Sequence, residues 1–238
     1  MQEFKNAIRA AGLEPPDIIT PGKLHRFQGI GKRSGNNAGW CKLFEDGLGG
    51  VFGDFSSGFD GHWQAKRDTP YTAAERQAFK EQCERDRKQR EADEARKHGE
   101  AALKAREIMQ SANGSDPTQH PYALKKAVSF GDKVKRGQWP QRGWMDALLT
   151  PIFDANGKIW TLEAINTDGE KDFLKGGKKC GCFHPLGKIG GAKRVYICEG
   201  LATVAAAHAV DNTPAAAAMD AGNMLAVAEA VRKLAPDA

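Results

Sequence analysis

Glu199 is the residue whose type and setting most invite chemistry. It follows a short apolar run, Arg194-Val195-Tyr196-Ile197-Cys198, and precedes an alanine-rich helical pattern over 201–210. A carboxylate at such a junction lies at the carboxyl end of a buried strand, where open parallel sheets bind ligands. The partial positive charge of the helix N-terminus favours its ionised form. The local pattern leaves two readings open: a functional carboxylate, or a residue that merely caps its helix. A second cluster is the stretch Gly169-Glu170-Lys171-Asp172-Phe173-Leu174-Lys175-Gly176-Gly177-Lys178-Lys179, a basic, glycine-bearing loop after a strand. Compact ammonium groups suit a polyanion, although each lysine alone reads as an ordinary surface residue. Cys180, Cys182 and His184 alternate and would share one face of a strand. Zinc needs a fourth ligand and usually wider Cys-x-x-Cys spacing, so reduced cysteines are expected here and zinc is not.

The elements that must position these residues fall into four segments. Residues 1–68 read as a small α+β unit: an amphipathic helix with Phe4, Ile8 and Ala11, then strand-like runs over 23–27, 39–44 and 50–55 separated by glycine-rich turns. Its aromatics, Trp40, Phe44, Phe52, Phe55 and Trp63, read first as a core. The sharper alternative has some of them stacking on bases beside Arg26, Lys32 and Arg33. Residues 69–117 read as a charged helical connector, one long helix over 72–112. Thr72 and Glu75 have capping-box spacing, and Glu81–Arg85, Glu84–Lys88 and Glu100–Lys104 are placed for i, i+4 pairs. Residues 118–190 read as β-rich, with a hairpin formed by 148–153 and 158–165 around Asp154-Ala155-Asn156-Gly157. Residues 191–238 read as strand, helix, strand at 215–219 and helix over 223–234, which implies parallel pairing with right-handed crossovers.

Composition bounds the function without choosing it. The chain has 238 residues, 40% hydrophobic and 27% charged, enough for one large domain or two small ones. No apolar run is long enough to span a bilayer, and the N-terminus lacks the pattern of a secretory signal, so the cytoplasm is the expected location and no membrane partner is expected. A net charge of +5 is compatible with a polyanionic partner and does not establish one. Five cysteines at irregular spacing argue against a disulfide framework.

The segment Tyr196-Ile197-Cys198-Glu199-Gly200-Leu201-Ala202-Thr203-Val204 resembles the first strand, glutamate and helix of a Toprim domain. Its Glu-Gly-x-Ala-Thr form resembles the Toprim-type DNA primases of conjugative plasmids and satellite phages. Further segments fit that family in order: His120-Pro121-Tyr122-Ala123-Leu124-Lys125-Lys126, the Pro151 to Gly157 hairpin, and Gly169-Glu170-Lys171-Asp172-Phe173-Leu174-Lys175-Gly176. Gly39-Trp40 and Phe52-Gly53-Asp54-Phe55 also fit its N-terminal region. The likeness spans nearly the whole chain. It implies a primase core of mixed β-rich and α/β (Toprim-like, parallel-sheet) architecture, in a phage, plasmid or mobile-element replication protein.

The resemblance implies a nucleotidyltransferase that makes short RNA primers from ribonucleotides on a single-stranded DNA template. In such enzymes the glutamate acts with a later Asp-x-Asp pair to hold divalent metal, Mg²⁺ or Mn²⁺, so Glu199 is expected to be a catalytic and metal-binding residue. Gly200 follows it in the motif. Lys171 matches the lysine of the family's basic loop, with Lys175, Lys178 and Lys179 extending the nucleic-acid or nucleotide patch. A replicative helicase, fused downstream or acting in trans, fits as a further partner. One departure stands out: no Asp-x-Asp follows Glu199, and Asp220 stands alone in Met219-Asp220-Ala221-Gly222-Asn223. The expectation is a chain truncated within its Toprim domain that makes little or no primer by itself. Two other readings remain: a single-stranded-DNA-binding module without catalysis, or a Toprim nuclease or topoisomerase. The last needs a catalytic tyrosine, and the tyrosines are Tyr71, Tyr122 and Tyr196.

Overall fold

The computed structural model describes residues 1–66, 69–112 and 114–238. The chain divides into two compact units, Met1–Glu91 and Ala92–Ala238. The boundary expected at 68 lies outside the described residues.

In the first unit, α1 (Gln2–Ala10) brings Phe4 and Ile8 onto one face and buries both. Four antiparallel strands follow in chain order: β1 (His25–Phe27), β2 (Gly39–Leu43), β3 (Gly49–Asp54) and β4 (Phe59–Gln64). The last has no counterpart in the sequence reading; it is a largely exposed edge strand whose two large apolar residues, Phe59 and Trp63, stand either side of Gly61. Period-two alternation sorts the aromatics onto two faces. Cys41, Leu43, Phe52 and Trp63 meet α1, while Trp40, Phe44 and Val51 meet Phe79 and Cys83 of α2 (Ala73–Ser111). Gly50 lies beneath the Phe4 ring, where a Cβ would come within 2.7 Å of it. Trp40, Phe44 and Phe52 are therefore core residues. Phe55 and Trp63 are half-buried, each in ring contact with a core partner, Trp40 at 5.6 Å and Phe4 at 5.5 Å.

The long helix begins with the expected capping box. Thr72 Oγ1 accepts from Glu75 N at 3.2 Å, and Glu75 Oε2 accepts from Thr72 N at 2.8 Å. Glu81–Arg85 and Glu84–Lys88 pair as expected, at 3.8 Å each, but Glu100 pairs with Arg96 at 2.8 Å rather than with Lys104. The division between units falls inside this helix. Its Phe79 and Cys83 belong to the first core, and its Ala101, Ala105, Ile108 and Met109 to the second.

The second unit contains an antiparallel sheet, β5 (Lys135–Trp139), β6 (Trp144–Phe153), β7 (Ile159–Asn166) and β8 (Lys171–Phe173). The β6–β7 hairpin turns at Asp154, whose Oδ1 accepts from Asn156 N and Lys158 N at 2.9 and 3.0 Å. One face of the sheet, through Ala147, Leu149, Leu162 and Ala164, packs on the end of α2. The other, through Leu148, Ile152 and Ile165, packs with α3 (Pro121–Lys126) and α4 (Leu201–Asp211). A third sheet has the order β10 (Tyr196–Cys198), β11 (Ala215–Ala217), β9 (His184–Leu186). β10 and β11 run parallel, joined through α4, and β9 lies antiparallel on β11. Ala215 and Ala217 face α4, while Ala216 and Ala218 face α5 (Met224–Leu234). Side chains this small let both helices approach the sheet closely. Residues 171–173, expected within a loop, form the edge strand β8, paired to β7 from Ile165 to Glu163.

Candidate functional site

The carboxyl ends of β10 and β11 define one edge of the third sheet. Glu199 leaves that edge directly after β10. It is exposed, and among the described residues it has no hydrogen-bond or ion-pair partner. The N-cap of α4 is Gly200, with no side-chain capping bond, so Glu199 does not act as the cap. Its carboxylate is free to meet a ligand. From the neighbouring strand, Ala218 N donates to Cys198 O at 2.9 Å, and the chain then passes through Met219 and Asp220. Met219 has a φ of +70° and is buried, a backbone conformation that costs a side-chain-bearing residue roughly 1–2 kcal/mol.

Asn223 organises this edge, and the sequence reading passed over it. Its Oδ1 accepts from Gly181 N at 2.9 Å. Its Nδ2 donates to Cys182 O at 2.9 Å and Ala218 O at 2.8 Å. One buried amide thus ties the segment entering β9 to the segment leaving β11. Asp220 Oδ1 accepts from Asn223 N at 3.0 Å, and its Oδ2 lies 3.4 Å from Lys179 Nζ. Lys179 and Asp220 are thereby held at the edge from which Glu199 emerges.

The four loop lysines separate into different settings. Lys179 Nζ also lies 4.5 Å from the centre of the Phe173 ring. Lys171, on β8, reaches Glu163 Oε1 at 3.5 Å. Lys178 Nζ sits 5.1 Å from the Trp160 ring centre, on a ring also covered by Lys158 Nζ at 3.4 Å. Lys175 is exposed, and its backbone N donates to Gln141 Oε1 at 2.9 Å. Asp172, on the opposite face of β8 from Lys171, accepts from Trp139 Nε1 at 2.8 Å and Gln141 Nε2 at 2.6 Å and pairs with Arg142 at 3.3 Å. Those bonds hold its carboxyl below the usual carboxylate range against the opposing effect of burial. It anchors the sheet and is not placed as a metal ligand.

Glu163 is the other residue the sequence reading missed. It stands in the middle of β7, opposite Thr150 on β6 and Phe173 on β8, with a side chain 1% exposed. Its Oε2 and the nearby Thr150 Oγ1 and Thr161 Oγ1 are buried without hydrogen-bond partners among the described residues. Burial pushes its carboxyl up, while Lys171 first and Lys179 second pull it down. The signal was present in Trp160-Thr161-Leu162-Glu163-Ala164-Ile165: a lone charge at the centre of an apolar strand, which needs a partner.

Cys180, Cys182 and His184 do not share a strand face. Cys180 is exposed in a turn, and burial pushes the Cys182 thiol up to about 11. Burial also lowers His184 to about 4; its Nδ1 lies 2.8 Å from Pro151 O, which makes it a neutral donor to that carbonyl. Among the described residues no three His, Cys, Asp or Glu side chains are grouped to hold a metal ion. Glu199 and Asp220 therefore do not complete a metal site by themselves. No helix among the described residues is long and apolar enough to cross a membrane.

The chain is similar to DNA primases named TraC. One such primase from Escherichia coli is 30% identical over 250 residues, covering 99% of this chain and 22% of its own length. A second, also from Escherichia coli, is 31% identical over 250 residues, covering 99% of this chain and 16% of its own. The chain thus spans well under a third of either relative. No protein-family model matches it. No solved structure matches it either.

Proposed function

We propose that this chain is the template- and nucleotide-handling part of a DNA primase of the plasmid type, a nucleotidyltransferase that builds short RNA primers on single-stranded DNA. The observation that carries the proposal is the likeness to two TraC primases along 99% of the chain. The site supports it: an unpaired carboxylate, Glu199, leaves the same sheet edge as the Lys179–Asp220 pair.

In this reading the 191–238 segment is the beginning of a Toprim module, and Lys171, Lys175, Lys178 and Lys179 meet phosphates of template or nucleotide. The cofactor is Mg²⁺ or Mn²⁺, which would lower the charge barrier of phosphoryl transfer, with Glu199 as one ligand. Mg²⁺ keeps most of its waters and normally needs more than one acidic ligand. The other carboxylates come from an Asp-x-Asp segment that the 238 residues do not contain.

The test is ribonucleotide incorporation on single-stranded DNA with Mg²⁺ or Mn²⁺. This chain alone is expected to make little or no primer. The same chain joined to an Asp-x-Asp segment of a relative is expected to make it, and Glu199→Gln in the joined protein to abolish it. Near-normal synthesis by that variant overturns the catalytic role of Glu199. Robust synthesis by the 238-residue chain moves the metal site, with Asp220 as its first ligand.

A further inference from the structure

Three features about Glu163 stand together. It is a buried carboxylate with one oxygen unpartnered among the described residues, and its other oxygen faces Lys171 at 3.5 Å. The Lys171 side chain that neutralises it is itself 39% exposed, so one side of the pair is dry and the other reaches solvent. Lys171 lies at the start of the glycine-bearing segment proposed above to meet phosphate.

We propose that Glu163 is a positioning residue for Lys171: it keeps the ammonium on the sheet until a phosphate draws it off, and the carboxylate left behind takes up a proton from solvent. The inference rests on the reading of the 171–179 segment as a phosphate contact. The physical reason is asymmetric solvation. Lys171 can exchange its carboxylate for a phosphate oxygen and remain half in water. Glu163 has no comparable exchange, because a buried charge without its partner is costly.

Among the described residues no charged group other than Lys171 and Lys179 acts on Glu163. Thr150 from β6 and Phe173 from β8 flank Glu163 across the sheet, and Thr161 lies two residues along its own strand. The α4 residues in the core packed on this face, Leu201, Val204 and Ala205, are apolar. The charged groups that act on Glu163 are Lys171 and Lys179, and Lys179 is itself engaged with Asp220. Burial already favours the protonated carboxyl, so losing Lys171 moves it further the same way. The balance is one solvent proton gained by Glu163 for each Lys171 transferred to phosphate.

The experiment is calorimetric titration of the 238-residue chain with an oligodeoxythymidylate, whose phosphodiesters stay ionised throughout. Titrations in buffers of different ionisation enthalpy give the protons exchanged on binding. The wild-type chain is expected to take up protons, with affinity falling as pH rises above the ordinary carboxylate range. Glu163→Gln keeps the shape and frees Lys171. It is expected to bind about threefold tighter or more at the upper pH, without that uptake. Lys171→Met is expected to bind more weakly, also without uptake. If Lys171→Met binds like wild type, the phosphate reading of the segment falls and the inference with it. If Lys171→Met is weakened while Glu163→Gln keeps wild-type affinity and uptake, the inference alone falls. Absence of proton uptake by the wild-type chain overturns it without any variant.

Discussion

Replacing Lys171 by methionine should destabilise the second unit in a way that depends on pH, and the structure sets both sign and size. The substitution leaves a carboxylate 1% exposed without its nearest cation. Breaking a fully buried pair costs roughly 3–5 kcal/mol. Here the Lys171 side chain is 39% exposed and Lys179 still acts on Glu163, so about 1–2 kcal/mol is the reasoned loss where Glu163 is ionised. The sign follows from proton counts. Burial raises the folded carboxyl above its ordinary 4.5, so between that value and the folded one the native state binds more protons than the unfolded state. Stability therefore falls as pH rises through this window and stays lower above it. Without Lys171 the folded value rises further, the window extends upward, and each added pKa unit costs about 1.4 kcal/mol above it. Toward the lower end of the window Glu163 is protonated in the variant and the deficit should shrink. Urea unfolding followed by tryptophan fluorescence across this pH range measures it, since Trp139, Trp144 and Trp160 lie in the second unit. In a Glu163→Gln background the same substitution should cost little, which is a double-mutant cycle on the pair. An equal deficit at both ends of the range would refute the reasoning and reduce Lys171 to its packing.

Asn223→Ala removes three hydrogen bonds from a buried amide and should cost roughly 2–4 kcal/mol, read as a lowered thermal midpoint of the second unit. Changing Lys171, Lys175, Lys178 and Lys179 together to alanine should flatten the dependence of single-stranded DNA affinity on salt by about 0.7 per lost phosphate contact, measured by fluorescence anisotropy; an unchanged slope would place the footprint elsewhere. Lys175→Ala alone should lower that slope without lowering stability, because its side chain is exposed and the bond to Gln141 is made by its backbone. With a thiol reagent at neutral pH, Cys180 should react first, while Cys41 and Cys182, pushed up by burial to about 12 and about 11, should react only as the chain opens; equal rates would contradict the burial.

Local patterns were legible wherever one rule acts over a few residues. The Thr72–Glu75 box, the Asp154 to Gly157 turn and the helix after Glu199 depend on neighbours in the chain, and each is present. Edge strands were not legible. β4 and β8 are short or exposed and are made strands by the partners they pair with, so residues 171–173 read as loop. The settings of Lys171, Lys178 and Lys179 were equally hidden, because Glu163, Trp160 and Asp220 reach them from other parts of the chain.

By itself, then, the sequence determined the local elements, the place of Glu199 at a strand-to-helix junction and the motif order that pointed to a primase. Tertiary structure decided which groups share a site. It brought Asp220 to Lys179 across 41 positions and tied β9 to β11 through Asn223. It turned an unremarked glutamate into the buried partner of Lys171. The physical reason is range. Capping and turn formation draw on adjacent backbone, whereas the burial of Glu163 depends on strands and helices that meet only when the core closes.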